Sequence, residues 1–292
     1  MKITVGIPAF NEEKNIAGII QKLSEIVDTV IVCNDGSTDS TGKIAEKMGA
    51  FVINHQRNMG YGSAIRSLFL KARELDSDVL ITLDSDGQHR IEDVMPVAEP
   101  IIKNQVDLVI GSRFLEGNQE NIPKYRKAGI KMITKLANTS LEENVTDSQS
   151  GFRAYSKKIL SEITPSEHGM GVSNEILMKA SKQGFKIAEV PIIVSYEGKT
   201  STHHPISHGV SVTLSTLKFI SIDHPLKFYG IPGIIFLSLG VFFTIWTLQL
   251  FSETREIVTN VALIGIGCLI FGVMLTMSAI ILFSVVSVIR EK

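Results

Sequence analysis

Cysteine is nearly absent, with only Cys33 and Cys268 among 292 residues. One sits in an apolar run of strand length and the other in a long apolar segment near the C-terminus. Neither a disulfide framework nor a thiolate metal site is therefore expected, which suits a catalytic part facing the cytosol. An excess of either charge is also missing, since 29 Lys and Arg stand against 30 Asp and Glu. That balance gives no reason to expect a nucleic-acid partner. The chain opens directly on KITVGIPAF, without the basic region, apolar region and cleavage site of a secretory signal, so export by that route is not expected. The GYG at residues 60–62 carries neither the dinucleotide nor the P-loop fingerprint.

What is present changes character along the chain. Up to about residue 200, apolar runs of strand length alternate with amphipathic stretches of helix length. That alternation predicts an α/β domain with a mostly parallel sheet and helices on both faces. Strands are expected at Ile3–Pro8, Thr29–Asn34, Phe51–Asn54, Val79–Leu83, Leu108–Gly111 and Ile187–Val194, and helices at Glu13–Ile26, Thr41–Met48, Ser63–Leu75, Ile91–Lys103, Arg126–Ala137 and Asn174–Gln183. Beyond Asp223 the composition shifts: neither Gly230–Ser252 nor Ile257–Ile289 contains a charged residue. Each exceeds the roughly 20 residues that cross a bilayer as a helix, and soluble helices of this length need a polar stripe. The expected layout is a catalytic domain over 1–208, a juxtamembrane segment over 209–225, and two spans within 226–292, at about 230–252 and 257–289. The short linker Glu253, Thr254, Arg255, Glu256 makes the spans a hairpin, and Lys218, Lys227, Arg290 and Lys292 flank its open side. The positive-inside rule then places that side, with the catalytic domain, in the cytoplasm of a cell membrane crossed twice.

Polar residues follow three predicted strands, at Pro8–Glu12, Asp35–Asp39 and Asp84–His89. Open parallel sheets bind ligands outside the carboxyl ends of their strands, so the three segments are expected to share one crevice. Singly, each also reads as an ordinary strand-to-helix turn capped by Asn11, Ser37 or Asp39. LITLDSDGQH, residues 80–89, is the most informative of them. Backbone alternation sends Asp84 and Asp86 to the same side of the strand end. A hard cation such as Mg²⁺ or Mn²⁺ is commonly held by one or two carboxylates together with substrate phosphates.

The segments IPAFNEEKNI, CNDGSTDST, NMGYGSAI, DSDGQH, GSRF and SGFRAYSKKIL occur in this order. In sequence and order they resemble family 2 glycosyltransferases of the dolichyl-phosphate mannose synthase type, over nearly all of the chain. The resemblance implies a GT-A fold, a nucleotide-sugar donor carried by UDP or GDP, and a polyprenyl or dolichyl phosphate acceptor at the bilayer. It implies that Pro8, Phe10, Glu12 and Asp35 contact the nucleotide, with Phe10 where the family often has Tyr. Asp84, Asp86 and Gln88 match the metal and diphosphate positions. Arg113 and Arg126 match arginines that contact the acceptor phosphate, a task suited to the planar guanidinium fork. A small hydroxyl residue that the family often has near Ile130 is absent. Lys124, Lys127, Lys131 and Lys135 recur at helical spacing beside Arg126, which reads either as a solvated face or as a face for anionic head groups. Gly151, Phe152 and Arg153 are expected to shape the site, with no individual role. YEGKTSTHHPISH, residues 196–208, reads as a polar loop with Lys199 near phosphate, and His203, His204 and His208 find no clear ligand partners.

A phosphate acceptor is already an anion at neutral pH, so no strong general base is required. Displacement in one step would invert the anomeric configuration, as in the family, with no covalent glycosyl-enzyme. A processive synthase is disfavoured because Q-x-x-R-W is missing and the single tryptophan, Trp246, lies in the first predicted span. A sugar nucleotidyltransferase is disfavoured because the first loop is acidic. A non-catalytic membrane scaffold of the same fold, or a different lipid or glycan acceptor, remains open, as does homo-oligomerisation.

Overall fold

The computed structural model describes residues 1–115, 124–195, 214, 217–218, 221–222 and 224–290, without the side chains of 124–126 and 287–290. The chain divides into two compact units, Met1–Thr216 and Leu217–Lys292.

Among the described residues the first unit holds seven strands: β1 (Ile3–Ala9), β2 (Thr29–Asn34), β3 (Phe51–Asn54), β4 (Val79–Thr82), β5 (Leu108–Ser112), β6 (Arg153–Ser156) and β7 (Ile187–Pro191). They form one sheet in the order β3-β2-β1-β4-β6-β5-β7. All pairings are parallel except those of β6, which runs antiparallel to both neighbours. Its helices are α1 (Ile16–Leu23), α2 (Thr41–Lys47), α3 (Tyr61–Glu74), α4 (Val94–Ile102), α5 (Lys124–Asn138), α6 (Lys157–Glu162) and α7 (Val172–Lys182). Strand alternation feeds two cores. Val5, Ile7, Val30, Val32, Val79 and Ile81 pack with α1 and α4 on one face, whereas Ile31, Cys33 and Leu80 pack with α3, α6 and α7 on the other. In α1 the buried residues Ile16, Ile19, Ile20 and Leu23 follow the helical repeat.

The predicted mostly parallel, helix-covered sheet is present, but several elements differ from those expected, among them the short helix α6, which was not foreseen, and β4, which stops at Thr82 instead of Leu83. The last strand stops at Pro191, and Val194 instead makes an isolated antiparallel bridge to His89. The first helix begins at Ile16, because Asn11 takes a left-handed backbone, φ 57°, and the next turn closes on the Glu12 carbonyl. Strand β6 was not foreseen. It has only four residues and starts with an arginine, so it offers neither length nor apolar alternation.

Arg153 is nonetheless fully buried. Its guanidinium donates to the carbonyls of Ser150 at 2.8 Å, Ser173 at 2.6 Å and Ser148 at 2.7 Å. A buried charge is tolerated only when its donors are satisfied in this way.

The second unit contains a π-helical turn at Leu226–Gly230, then α8 (Ile231–Thr254) and α9 (Thr259–Arg290). Two stretches, Leu226–Thr254 and Thr259–Val286, are long and apolar enough to cross a membrane. At ~1.5 Å per residue each exceeds the ~30 Å hydrocarbon core. Helix α8 ends at Arg255, in the left-handed region at φ 57°, whose N–H returns to the Phe251 carbonyl. The two helices pack through glycine. A Cβ at Gly233 would lie 2.6 Å from Thr276 Oγ1, and one at Gly240 would lie 2.7 Å from Leu269 Cγ. Small residues at such crossings let helix backbones approach in lipid.

Replacing Arg153→Met should orphan three buried carbonyls and lower the unfolding free energy by about 3 kcal/mol. Urea unfolding of the full chain in detergent micelles measures this, and an unchanged midpoint would contradict the role given to Arg153.

Candidate active site

Because β1, β2, β4 and β5 run the same way, their carboxyl ends open on one edge of the sheet. Strand order reverses between β1 and β4, which is where an open sheet leaves its crevice. Strand β6, being antiparallel, begins at this same edge, and it brings residues 147–152 to the site.

Pro8 is buried in β1, and its carbonyl accepts the Ser85 hydroxyl at 2.9 Å, tying the end of β1 to the end of β4. Phe10 is half-buried. The Glu12 N–H donates to Thr41 Oγ1 at 2.8 Å, and its carboxylate accepts Asn15 Nδ2 at 2.8 Å. Burial raises the Glu12 pKa; the Asn15 bond opposes this, and the charges of Asp86 and Asp39 add to it. Glu12 and Asp86 therefore sense each other across the crevice.

Asp35 is buried. Its carboxylate accepts His55 Nδ1 at 2.6 Å and the N–H groups of Met59 and Gly60, both at 2.9 Å. It thus clasps the turn that leads into α3. His55 Nε2 reaches Ser67 Oγ at 2.9 Å. Beside it, burial pushes the Cys33 thiol up to about 12, with the Asp35 charge adding to the shift, so this cysteine is not a thiolate at neutral pH.

Asp84 is held from several sides. Tyr61 donates its hydroxyl to Asp84 Oδ1 at 3.1 Å, and His89 Nε2 lies 3.5 Å from Oδ2. Gly151 closes in on the same carboxylate, since an added Cβ would sit 2.9 Å from both oxygens and 2.6 Å from the Tyr61 hydroxyl. Burial acts to raise the Asp84 pKa, but bonds and charge from His89, the Tyr61 hydroxyl and the Arg113 charge outweigh it and hold the carboxyl below its ordinary range. Asp86 Oδ1 accepts the Gln88 N–H at 3.0 Å, with Gly87 between them at φ 72°. The Gln88 carbonyl accepts the Ser195 N–H at 3.0 Å, next to the bridge between His89 and Val194. The His89 ring packs edge-on against Phe152 at 5.1 Å.

Arg113 is engaged by Asp147. Its Nε and Nη2 donate to the two carboxylate oxygens at 2.7 and 2.8 Å, and its N–H donates at 3.2 Å. Both side chains are buried. Glu189 supports this pair by accepting the N–H groups of Thr146 at 2.8 Å and Asp147 at 3.0 Å. The side chain of Arg126 lies outside the described residues, as do Lys124, Lys199, His203, His204 and His208 except for the helical backbone at 124–126.

The structure thus gathers Pro8, Glu12, Asp35, Asp84, Asp86, Gln88 and Arg113 at one sheet edge. Gly151, expected only to shape the site, closes on Asp84, and Tyr61, His89 and Asp147 join without having been singled out in the sequence. Tyr61 and His89 lie inside the motifs NMGYGSAI and DSDGQH, whereas Asp147 is one polar residue among several and offered no signal. Among the described residues no three His, Cys, Asp or Glu side chains come close enough to hold a metal by themselves. Two carboxylates at a strand end, with the cradle left by Gly151, fit instead a hard cation shared with substrate phosphates.

Residues 4–164 match the profile of the family described as Glycosyl transferase family 2. The chain is 34% identical over 233 residues to the UDP-N-acetylglucosamine–dolichyl-phosphate N-acetylglucosaminyltransferase of Methanococcus voltae, covering 71% of this chain and 89% of that protein. It is 33% identical over 218 residues to the dolichyl-phosphate hexose transferase of Haloferax volcanii, covering 74% and 92%. Among solved structures, glucosyl-3-phosphoglycerate synthase from Mycobacterium tuberculosis, in complex with Mn²⁺ and UDP-glucose, superposes with a TM-score of 0.59 at 23% identity, over 75% of this chain and 78% of that one. At that identity the likeness concerns the fold alone.

Asp147 contributes to the pH dependence of this region. Burial opposes ionisation, but the charge and bonds of Arg113 hold the folded carboxyl below its ordinary range. Its contribution is therefore complete above the unfolded carboxylate value of about 3.9 and is lost as pH falls through the lower folded value. Asp147→Asn, which leaves Arg113 buried without its counter-charge, should cost about 3–5 kcal/mol at neutral pH. It should also flatten the loss of stability on acidification below about pH 4. Urea unfolding in micelles across a pH series checks both effects.

Proposed function

Because the chain belongs to glycosyl transferase family 2, we propose that it transfers one sugar from a nucleotide-sugar to a polyprenyl phosphate such as dolichyl phosphate at the membrane surface. The observation that carries this reading is the convergence of Glu12, Asp84, Asp86 and the Asp147-oriented Arg113 on one crevice. Two helices able to cross a bilayer, and the acceptor named for two relatives, support a lipid-linked acceptor. The donor is a UDP-sugar or GDP-mannose, and the catalytic unit faces the cytoplasm, where nucleotide-sugars are made and the flanking Lys and Arg favour retention.

Pro8, Phe10, Glu12 and Asp35 form the nucleotide side of the crevice. Asp84, Asp86 and Gln88 hold a divalent cation, Mg²⁺ or Mn²⁺, which when bound offsets charge on the departing diphosphate. Arg113, its guanidinium plane set by Asp147, is assigned to the acceptor phosphate, as is Arg126 by the resemblance to the family, since cationic groups there relieve repulsion between the two phosphates. An acceptor phosphate oxygen attacks the anomeric carbon as the bond to the nucleoside diphosphate breaks, with inversion. No proton must be removed from the nucleophile, so the task of the residues is to hold the reactants in line. Anchoring beside the acceptor reduces the search from three dimensions to two.

The test is transfer of labelled sugar to a chloroform-soluble product by the full chain in detergent, with a polyprenyl phosphate, Mg²⁺ or Mn²⁺, and a panel of UDP- and GDP-sugars. A metal-dependent lipid product is expected from one donor, and Asp86→Asn should lower its rate about 100-fold or more. Undiminished transfer by that variant would overturn the assignment of Asp86. No product from any donor, with nucleotide binding intact, would favour another acceptor.

A further inference from the structure

Tyr61 lies outside the strand-end carboxylate motifs, yet its hydroxyl reaches Asp84 Oδ1 at 3.1 Å from the first residue of α3. Its approach is fixed from two directions. On one side the Asp35 carboxylate accepts the N–H groups of Met59 and Gly60, both at 2.9 Å, and Gly60 takes the φ of 95° that the turn requires. On the other side the Gly62 N–H donates to the His168 carbonyl at 2.9 Å, and Ser63 Oγ meets His168 Nδ1 at 2.9 Å. No side chain would fit at Gly62, where a Cβ would come within 2.1 Å of the Glu167 carbonyl. The α3 N-terminus is thus clamped between the end of β2 and the loop before α7, and the ring it carries projects toward Asp84.

At the far end of that projection, Gly151 leaves room for only the hydroxyl and the carboxylate. Its own carbonyl accepts the Thr82 hydroxyl at 2.7 Å, which anchors it to β4, two residues before Asp84. A phenol, with an ordinary pKa of about 10, keeps its proton at neutral pH and can donate to the carboxylate.

We infer that Tyr61 is a positioning residue for Asp84, holding the carboxylate in the orientation needed to take up a divalent cation. The inference rests on the metal assignment made above for Asp84 and Asp86. It also gives Asp35 a second task, because the clasp on Met59 and Gly60 is what places Tyr61. Partners that orient metal ligands typically change metal affinity about 10- to 100-fold when removed.

The experiment titrates Mn²⁺ into the full chain in detergent with UDP or GDP present, reading free Mn²⁺ by its electron paramagnetic resonance signal. Wild type, Tyr61→Phe and Gly151→Ala are compared, with circular dichroism giving the folded fraction of each. Phenylalanine keeps the ring and removes only the hydroxyl, whereas a Cβ at 151 forces the hydroxyl and carboxylate apart from the opposite side. Both variants should bind Mn²⁺ about tenfold more weakly per folded molecule. If Tyr61→Phe and Gly151→Ala bind as wild type does, the positioning role is overturned while the metal site stands, even if either variant melts earlier. If wild type itself takes up no Mn²⁺ with either nucleotide, the metal assignment falls and this inference with it.

Discussion

The guanidinium of Arg153 sits fully buried at the first residue of the one reversed strand, satisfied by carbonyls at Ser148, Ser150 and Ser173. Those acceptors belong to the segment that precedes β6 and to the start of α7, so one side chain sets the path of residues 147–152 along the edge of the sheet. Much of the crevice depends on that path. Asp147 orients Arg113, Gly151 limits the space around Asp84, and Phe152 braces His89. An antiparallel strand placed between β4 and β5 thereby brings one residue string to two strand ends at once.

The electrostatics follow from this crowding. Glu12, Asp84 and Asp86 gather negative charge on one side of the crevice, and Arg113 faces them with its own charge largely committed to Asp147. Glu12 is raised by burial and by its neighbours' charges, while Asp84 is lowered by its donors. Carboxylates at one sheet edge with opposite shifts suit a place where positive charge arrives with a ligand. The second unit meets a different constraint. Glycines on α8 and α9 allow backbone approach in a setting where apolar side chains alone give little preference for a partner helix.

Much of the first unit was legible because its strands are near-continuous apolar runs ending in polar turns. Val79–Thr82 is buried on both faces, and Asp84 and Asp86 follow its end, Asp86 in a turn where extended-strand alternation no longer applies. The apolar hairpin was legible for a simpler reason, since tens of residues without a charge have few other stable settings. Strand β6 was hidden because its first side chain is charged and its neighbours are few. Asp147 was hidden because a buried ion pair leaves no periodic trace: its partner lies 34 residues away. Tyr61 stood inside a recognised motif, but its reach to Asp84 depends on a turn clasped by Asp35 and a loop held by His168.

By itself the sequence determined the class of fold, the two long apolar helices and which carboxylates follow the fourth strand, because hydrophobic period and local backbone geometry act over neighbouring residues. Only the tertiary structure decided which groups hold those carboxylates and that arginine in place. Contacts between Tyr61 and Asp84, Gly151 and Asp84, and Asp147 and Arg113 arise from strand order and direction, and a linear pattern does not encode which strand lies beside which.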